Sequence, residues 1–322
     1  MRGQPLPDEA HLRIVAPASP PRDHEVIPDA IENLRALGFR PSLGASIWDR
    51  NGFLAGSDRA RARDLHSAFR ARSVDGVMCL RGGYGSQRLL SLLDLKPCAQ
   101  SGKPLIGFSD ITALLGVFAR FGGWAIHGPM AGSLVSDASV SHFSRDHLKA
   151  ALFEPDRERS VREGYDHAGE TIEVARTGTV SGRLIGGNLT ILTSLLGTPW
   201  FPSLKGAILF IEDVGEAPYR IDRMVTHLIN SGVLAGVRGI AAGLFASCDA
   251  VDATGEPQPP GWRRVIQERL LPLKVPLVLG LPFGHVPFNA ALPVGQTATL
   301  DAKRGDLIVG GRMMRVGLRR VK

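Results

Sequence analysis

Ser109 and Asp110 stand where a short apolar run stops and a helical pattern begins. They lie in the segment "PLIGFSDITALL", which is typical of a buried strand that turns directly into a helix. A serine at such a turn is exposed, and the backbone amide of the next residue can stabilise an oxyanion. The segment therefore predicts a nucleophilic serine. Position 111 departs from the G-x-S-x-G pattern because it is Ile111, and either Ser109 or Asp110 would also serve simply as a helix N-cap.

A serine nucleophile needs a histidine to take its proton and a carboxylate to orient that histidine. Of nine histidines, His127 in "WAIHGPM" and His285 in "LGLPFGHVPFN" follow apolar runs at the starts of loops. Glu212 and Asp213 end the apolar run "AILFIED". The residue pattern leaves both choices open, since either histidine could be a buried structural residue and Asp213 could cap the following helix.

A glycine-rich turn, "RGGYGS" at 81–86, follows the apolar run "GVMCL". It fails the G-x-G-x-x-G pattern of dinucleotide-binding loops because Arg88 occupies the position of the last glycine. Glycines in such a loop let backbone amides approach a substrate carbonyl or carboxylate, or alternatively a phosphate. We favour substrate binding, with Gly82 and Gly83 as the candidate residues.

The elements that must position these residues alternate along the chain. From residue 12 onward, apolar strands are separated by helical patterns over 27–37, 57–72 and 86–95. This order predicts an α/β fold with a parallel sheet, whose ligand-binding loops follow the carboxyl ends of the strands. The segment 154–170 is charged and lacks periodicity, so it predicts a linker between an N-terminal domain, 1–153, and a C-terminal domain, 171–322.

Composition limits the classes of function. The 322 residues carry a formal charge of +7, but the cations are scattered singly, which argues against nucleic-acid binding. The three cysteines are widely spaced and provide neither a disulfide framework nor a C-x-x-C metal site. The sequence contains neither a signal peptide pattern nor an apolar run long enough for a membrane span. We therefore expect a cytoplasmic protein that does not associate with membranes.

Six motifs in order along nearly the whole chain carry a family resemblance. They are "RGGYGSQRLL", "PLIGFSDITALL", "HGPM", "SGRLIGGNLTIL", "LFIEDVGEAPYRIDRMV" and "GLPFGHVPFNAALPVG". Together they resemble the LD-carboxypeptidase family of serine peptidases, which includes muropeptide LD-carboxypeptidases and microcin C self-immunity peptidases. The resemblance implies a Rossmann-like N-terminal α/β domain with a parallel sheet. It also implies a smaller C-terminal α/β domain with a mixed, partly barrel-like sheet.

The same resemblance implies a Ser-His-Glu triad formed by Ser109, His285 and Glu212 across the two domains. The oxyanion would be held by the amides of Asp110 and of Gly82 or Gly83. No metal or organic cofactor is implied, and the expected assembly is a homodimer.

The substrate implied is a small peptide, a murein tetrapeptide cut between L-lysine or meso-diaminopimelate and its terminal D-alanine. Its free carboxylate suggests an arginine partner, for which the motifs offer four candidates: Arg81, Arg88, Arg183 and Arg223. One alternative is a peptidyl nucleotide, whose base would stack on Trp200 or Trp262. Another is a non-catalytic binding protein that uses the glycine-rich loop as an anion pocket.

Overall fold

The computed structural model describes residues 3–134, 142–166, 171–251 and 257–311. Within them the strands are β1 (His11–Val15), β2 (Arg40–Leu43), β3 (Gly76–Cys79), β4 (Pro104–Gly107), β5 (Trp124–His127), β6 (Arg159–Ser160), β7 (Glu173–Arg176), β8 (Thr179–Asn188), β9 (Ala207–Val214), β10 (Gly239–Ala246), β11 (Ala250–Val251), β12 (Pro257–Gln258), β13 (Leu277–Leu279), β14 (Leu292–Val294), β15 (Thr297–Asp301) and β16 (Asp306–Val309). The α-helices are α1 (Val26–Ala36), α2 (Asp58–Arg70), α3 (Leu95–Ala99), α4 (Thr112–Arg120), α5 (His142–Phe153), α6 (Leu189–Ser194), α7 (Pro218–Asn230) and α8 (Trp262–Leu270).

The first sheet has the strand order β2-β1-β3-β4-β5-β14, and its first five strands are parallel. All residues of β3, β4 and β5 are buried, as expected for strands with helices on both faces. The strands β3 and β4 are adjacent and parallel, so the loops at their carboxyl ends lie side by side. Those loops contain the glycine-rich turn and Ser109.

The second sheet has the order β6-β16-β15-β8-β9-β10-β13-β7. The strands β8, β9, β10 and β13 are parallel, and the outer strands are antiparallel to their neighbours. A mainly parallel sheet followed by a mixed sheet confirms the predicted α/β fold class. One hydrophobic core is continuous between the sheets, because Leu105 of the first sheet belongs to the same cluster as Phe210 of the second.

Two strands each pair with a strand from the other half of the chain. The strand β14 pairs antiparallel with β5, so a segment from the second half completes the first sheet. The strand β6 pairs with β16 in the second sheet and lies within 154–170, the segment expected to be a linker. Residues 167–170 of that segment, and 312–322 of the expected C-terminal domain, lie outside the described residues.

The predicted helices over 27–37 and 57–72 are confirmed as α1 and α2, and the Ser57 side chain caps α2. The predicted helix over 86–95 is wrong, because the chain there forms only a 3₁₀ turn at Gln87–Leu89 before α3 begins. Ser86 is buried, and Asp110 accepts a hydrogen bond from its amide at 2.8 Å. Asp94 then caps α3. These polar anchors at both ends prevent one continuous helix.

Candidate active site

Ser109 follows β4 and begins a 3₁₀ turn, Ser109–Ile111, that leads into α4. Its φ of +62° lies in the left-handed region, which residues other than glycine rarely adopt. The turn is tight because Gly107 has no side chain: a Cβ there would lie 2.9 Å from Cγ2 of Ile111. The strand-to-helix turn predicted at Ser109 is therefore confirmed.

The Ser109 hydroxyl is the first member of a hydrogen-bonded chain of three side chains. Its Oγ lies 2.9 Å from Nε2 of His285, and Nδ1 of His285 lies 2.7 Å from Oε2 of Glu212. Glu212 is fully buried on β9, and His285 lies on the loop that follows β13. The structure thus brings together the three residues that the resemblance selects, although 176 residues separate Ser109 from His285.

Burial lowers the pKa of His285, but the hydrogen bond and charge of Glu212, together with the charge of Asp213, outweigh that effect and raise it above its usual value. The Phe108 ring packs against the imidazole with the ring centroids 4.8 Å apart. A histidine whose protonated form is stabilised in this way can hold a proton received from a serine hydroxyl.

Asp213 has a different role from that of Glu212. Its Oδ1 accepts hydrogen bonds from Nδ2 of Asn188 and from its own neighbouring backbone amide, both at 2.9 Å. Its Oδ2 accepts two more, from the amide and hydroxyl of Thr190 at 2.9 and 2.8 Å. These bonds hold the start of α6, where Asn188 is the N-cap. The structure therefore selects Glu212 as the partner of His285, a choice that the residue pattern left open.

His127 lies beneath the site in an aromatic cage. Its ring packs against the rings of Phe108, Phe210 and Phe283, and neither ring nitrogen has a hydrogen-bond partner among the residues that the structure describes. Burial lowers the pKa of His127 to about 4, with Glu212 opposing that effect. His127 is therefore neutral near pH 7 and makes no hydrogen bond to Ser109 within the described chain.

The glycine-rich loop contacts the serine turn directly. A Cβ on Gly82 would lie 2.9 Å from Cβ of Ser109 and 3.2 Å from the backbone nitrogen of Asp110. Only glycine fits there without displacing the turn. Gly83 has a φ of +107°, and a Cβ on it would collide with Ser19. Gly82 and the Asp110 amide therefore lie beside Ser109, with Gly83 one residue further along the loop.

Two supporting groups were missed by sequence reasoning. Arg61 is buried and donates hydrogen bonds to the carbonyl oxygens of Pro17 and Gly85, which fixes the glycine-rich loop from below. In the sequence it is one of several arginines in the charged stretch "DRARARD", which is typical of a solvated helix face. Nothing in that pattern distinguishes it.

The second supporting group holds the loop of His285. Oδ1 of Asn289 accepts a hydrogen bond from the amide of Gly284 at 3.1 Å, and the Asn289 amide donates to Oγ of Ser144 at 2.8 Å. Ser144 is on α5, in the first half of the chain. The position of His285 therefore depends on contacts that span 145 residues, which no local pattern reveals.

A cavity of about 310 Å³ adjoins His285. It is lined by Phe108, Pro129, Ser133, Ser144, His285, Val286, Pro287 and Asn289. Within residues 3–134, 142–166, 171–251 and 257–311, no three histidine, cysteine or acidic side chains are grouped so that they would hold a metal ion. In the same part of the chain, no helix has the length and apolar character needed to cross a membrane.

Three of the four candidate arginines are positioned by contacts that do not involve Ser109. Arg88 is paired with Asp58 at 2.8 Å. Arg183 lies in the middle of β8, level with Ala207 of β9, whereas Asn188 at the end of β8 is level with Glu212. Arg223 is exposed on α7, where its guanidinium lies 5.5 Å from the centre of the Tyr219 ring. The fourth, Arg81, immediately precedes Gly82.

A serine on a strained turn contacts a histidine, and that histidine in turn contacts a buried glutamate. This order of groups is that of a serine hydrolase site. Family models agree with that class. The LD-carboxypeptidase N-terminal domain matches residues 12–128, and the LD-carboxypeptidase C-terminal domain matches residues 181–300. The chain therefore belongs to the LD-carboxypeptidase family and is a serine peptidase.

Individual proteins are similar over most of their length. A relative from Synechocystis sp. is 38% identical over 309 residues, which are 94% of this chain and 96% of that protein. The murein tetrapeptide carboxypeptidase of Pseudomonas aeruginosa is 36% identical over 305 residues, covering 92% of this chain and 95% of that one.

Two solved structures share the fold. The muramoyltetrapeptide carboxypeptidase of Oxalobacter formigenes superimposes with a TM-score of 0.81 at 30% identity, over 95% of this chain and 100% of that chain. The microcin C7 self-immunity protein superimposes with a TM-score of 0.86 over 98% of this chain and 99% of that chain. Its sequence identity is 22%, so that likeness concerns the fold alone.

Proposed function

We propose that this chain is a carboxypeptidase that removes the terminal D-alanine from murein tetrapeptides. The bond cut joins L-lysine or meso-diaminopimelate to D-alanine. The observation that carries the proposal is the hydrogen-bonded chain from Oγ of Ser109 through His285 to Glu212. The substrate class is supported by the family and by the similarity to a relative named murein tetrapeptide carboxypeptidase.

In the proposed reaction, Oγ of Ser109 attacks the carbonyl carbon of the scissile amide while Nε2 of His285 takes its proton. Glu212 keeps Nδ1 of the imidazole protonated and stabilises the positive charge that forms. The proton then passes from His285 to the nitrogen of the departing D-alanine. Water, deprotonated by the same histidine, attacks the acyl-enzyme and releases the shortened peptide.

The oxyanion formed at each attack is proposed to be held by the backbone amides of Asp110 and Gly82, with Gly83 shaping the loop. Gly82 and the Asp110 amide are adjacent at the serine turn, and the buried Asp110 carboxylate is bonded to Ser86, away from the hydroxyl. An amide placed in this way typically lowers the barrier by about 3 kcal/mol. No step requires a metal or an organic cofactor.

The proposed specificity is for an acyl carbon of L configuration. Gly82 lies against Ser109, so the glycine-rich loop is a wall on one side of the reacting carbonyl. The opposite configuration would direct its side chain into that wall, and a displacement of about 1 Å can cost roughly 10²-fold in rate. We therefore expect no cleavage of the D,D bond in a pentapeptide.

Mass spectrometry of three purified substrates tests the proposal. A murein tetrapeptide should lose D-alanine, whereas a pentapeptide and a peptidyl sulfamoyl adenosine should stay intact. Cleavage of the adenosine compound with an untouched tetrapeptide would favour the peptidyl-nucleotide alternative. Failure of a serine-directed phosphonate to label Ser109, with no substrate cleaved, would favour the non-catalytic binding protein.

The aromatic residues give the nucleotide alternative little support. Trp262 is buried, with one face stacked on Phe245 at 4.8 Å and the Arg263 guanidinium 4.6 Å from its ring. Trp200 is partly buried and packs against the hydrophobic core. Trp262 therefore presents no open face for a nucleobase.

By resemblance we also propose that the protein is a cytoplasmic homodimer. The chain has a mass of 34.5 kDa, so sedimentation equilibrium should give about twice that value. A monomer across the micromolar range would contradict the assembly without affecting the proposed chemistry.

A further inference from the structure

A cavity of about 530 Å³ lies where the second half of α4 meets the middle of β8. The rest of its lining comes from two loops, within 201–205 and 232–235. Arg120, the last residue of α4, is about 14 Å along the helix from the Ser109 turn, because each helical residue adds about 1.5 Å. No residue of the proposed triad lines the cavity, so it is separate from the proposed catalytic site.

Three cationic side chains from different elements line this cavity: Arg120 of α4, Arg183 of β8 and Lys205 of the loop before β9. All three are exposed, and no acidic side chain belongs to the described lining. Nη1 of Arg120 donates a hydrogen bond to the carbonyl oxygen of Pro199, beside the carboxyl end of α4.

Arg183 and Lys205 differ from Arg120 in their contacts. In the part of the chain that the structure describes, their side chains have neither a hydrogen-bond partner nor a carboxylate partner. Like charges around one cavity repel each other, and an anion placed among them lowers that repulsion. The cavity therefore has the electrostatic character of an anion site.

The base of the cavity is apolar. Ile185 and Leu204 are only 3% and 2% exposed, and Phe201 packs against the hydrophobic core. Pro202 and Val233 complete this apolar surface. Since the three cations are exposed and these side chains are buried or half-buried, positive charge lies at the mouth of the cavity and apolar surface lies at its base. An organic anion would contact both parts, whereas an inorganic ion would contact only the mouth.

We infer that this cavity binds a small organic phosphate, whose phosphate group contacts the three cations and whose apolar part packs against Phe201. A phosphate group has about two negative charges at pH 7, so it suits several cations better than a single carboxylate does. A guanidinium presents paired donors to phosphate oxygens, and a lysine adds a point charge. The inference does not depend on the proposed function, because no residue of the triad takes part.

Fluorescence titration with naphthyl phosphate tests the inference at about 0.15 M salt, where long-range attraction between exposed charges is screened. One saturable site is expected, with at least tenfold weaker binding of both naphthol and inorganic phosphate. Ser109→Ala should bind naphthyl phosphate within twofold of the unaltered protein, because the site is separate from the serine. Arg183→Gln and Lys205→Gln should each weaken binding by about tenfold or more, as expected for loss of a charge-assisted hydrogen bond.

A second pair of variants changes the charge of the cavity and keeps its cations. Ala235 lines the cavity and is exposed, so Ala235→Asp should keep the fold and weaken binding by tenfold or more. Ala235→Ser is its neutral control and should bind within twofold of the unaltered protein. Arg223→Gln removes an exposed cation of α7 that does not line the cavity, and it should also leave binding within twofold. Thermal unfolding shows whether each variant keeps its fold.

Four outcomes would overturn the inference. The first is the absence of saturable binding, and the second is equal binding of naphthol and naphthyl phosphate, which would mean that only the apolar base binds. The third is unchanged binding in both Arg183→Gln and Ala235→Asp, which would place the ligand elsewhere. The fourth is a loss in Arg223→Gln as large as that in Arg183→Gln, which would indicate attraction to the net charge of the protein.

Discussion

The two faces of β9 carry neighbouring buried carboxylates, Glu212 and Asp213, which differ in their hydrogen-bond partners. Asp213 accepts four hydrogen bonds from groups that fix the start of α6. Oε2 of Glu212 accepts one hydrogen bond, from Nδ1 of His285, and Oε1 has no partner among the described residues. Alternation along a strand places the two side chains on opposite sides of the sheet. A buried carboxylate whose one hydrogen bond is to a histidine is suited to orienting that histidine for catalysis. A carboxylate that accepts bonds from several donors is suited to fixing the backbone around it.

This difference predicts that substitutions of the two carboxylates affect different quantities, the catalytic rate for Glu212 and the free energy of unfolding for Asp213. Changes along Ser109, His285 and Glu212 should reduce catalysis with small effects on folding, because these groups interact mainly with one another. Changes at Asp213 should reduce the free energy of unfolding with a small effect on catalysis, because its partners are structural.

The largest expected effect is that of Ser109→Ala. Removing the hydroxyl removes the atom that forms the acyl-enzyme, so kcat should fall by about 10⁶-fold, as for other serine nucleophiles. Progress curves by liquid chromatography check the rate, and circular dichroism checks the fold. Turnover within about tenfold of the unaltered enzyme would show that Ser109 is not the nucleophile.

Glu212→Gln should lower kcat by about 10³- to 10⁴-fold, because an amide keeps the shape but neither stabilises the imidazolium nor selects the right tautomer. The matched variant is Asp213→Asn, one residue along the same strand. A greater loss of rate in Asp213→Asn than in Glu212→Gln would contradict the assignment of Glu212 to catalysis and Asp213 to structure.

The pH dependence should report on His285. The neutral imidazole is the base, so kcat/KM should be low in acid and rise through the pKa of His285. Burial lowers that pKa, but Glu212 and Asp213 raise it, so the midpoint should lie above the ordinary value of 6.5. Without the charge of Glu212 the effect of burial remains, and in Glu212→Gln the imidazole midpoint measured by NMR should fall. A midpoint that rises would contradict the role of Glu212.

The smallest effect on rate is expected for Asp213→Asn, with kcat within tenfold of the unaltered enzyme. The new NH₂ group would face the amide of Thr190, which then loses its acceptor. An unpaired buried donor costs about 1–3 kcal/mol, so the free energy of unfolding should fall by that amount. Urea denaturation measures it. Unchanged stability together with a large loss of rate would mean that both faces of β9 serve catalysis.

The sequence predicts the elements around Ser109 well because their signals are local. Strand, serine and helix follow one another within a few residues, and Ser57 marks the start of α2. The choice of His285 over His127 could not be made from the residue pattern, because both follow apolar runs. The difference is three-dimensional: His127 is enclosed by three phenylalanines, whereas His285 is held between Glu212 and Ser109.

Long-range pairing accounts for what the sequence does not reveal. The strands β14 and β6 are too short to show a pattern, and their partners lie in the other half of the chain. Arg61 and Ser86 appear polar and exposed in sequence, but they are buried because carbonyl groups and Asp110 receive their hydrogen bonds. The helical pattern over 86–95 likewise does not show that Ser86 is bound to Asp110 or that Asp94 caps α3.

The pairing of β14 with β5 means that the first sheet is completed only late in synthesis. A ribosome that adds about 5–20 residues per second needs roughly ten to thirty seconds to pass from His127 to Leu292. For that time β5 is an unpaired edge, which can associate with strands of other chains. His285 and β14 are made almost together, so the strand that covers this edge arrives with the proposed base. A nascent chain is therefore expected to cover this edge and to complete the proposed triad at about the same time.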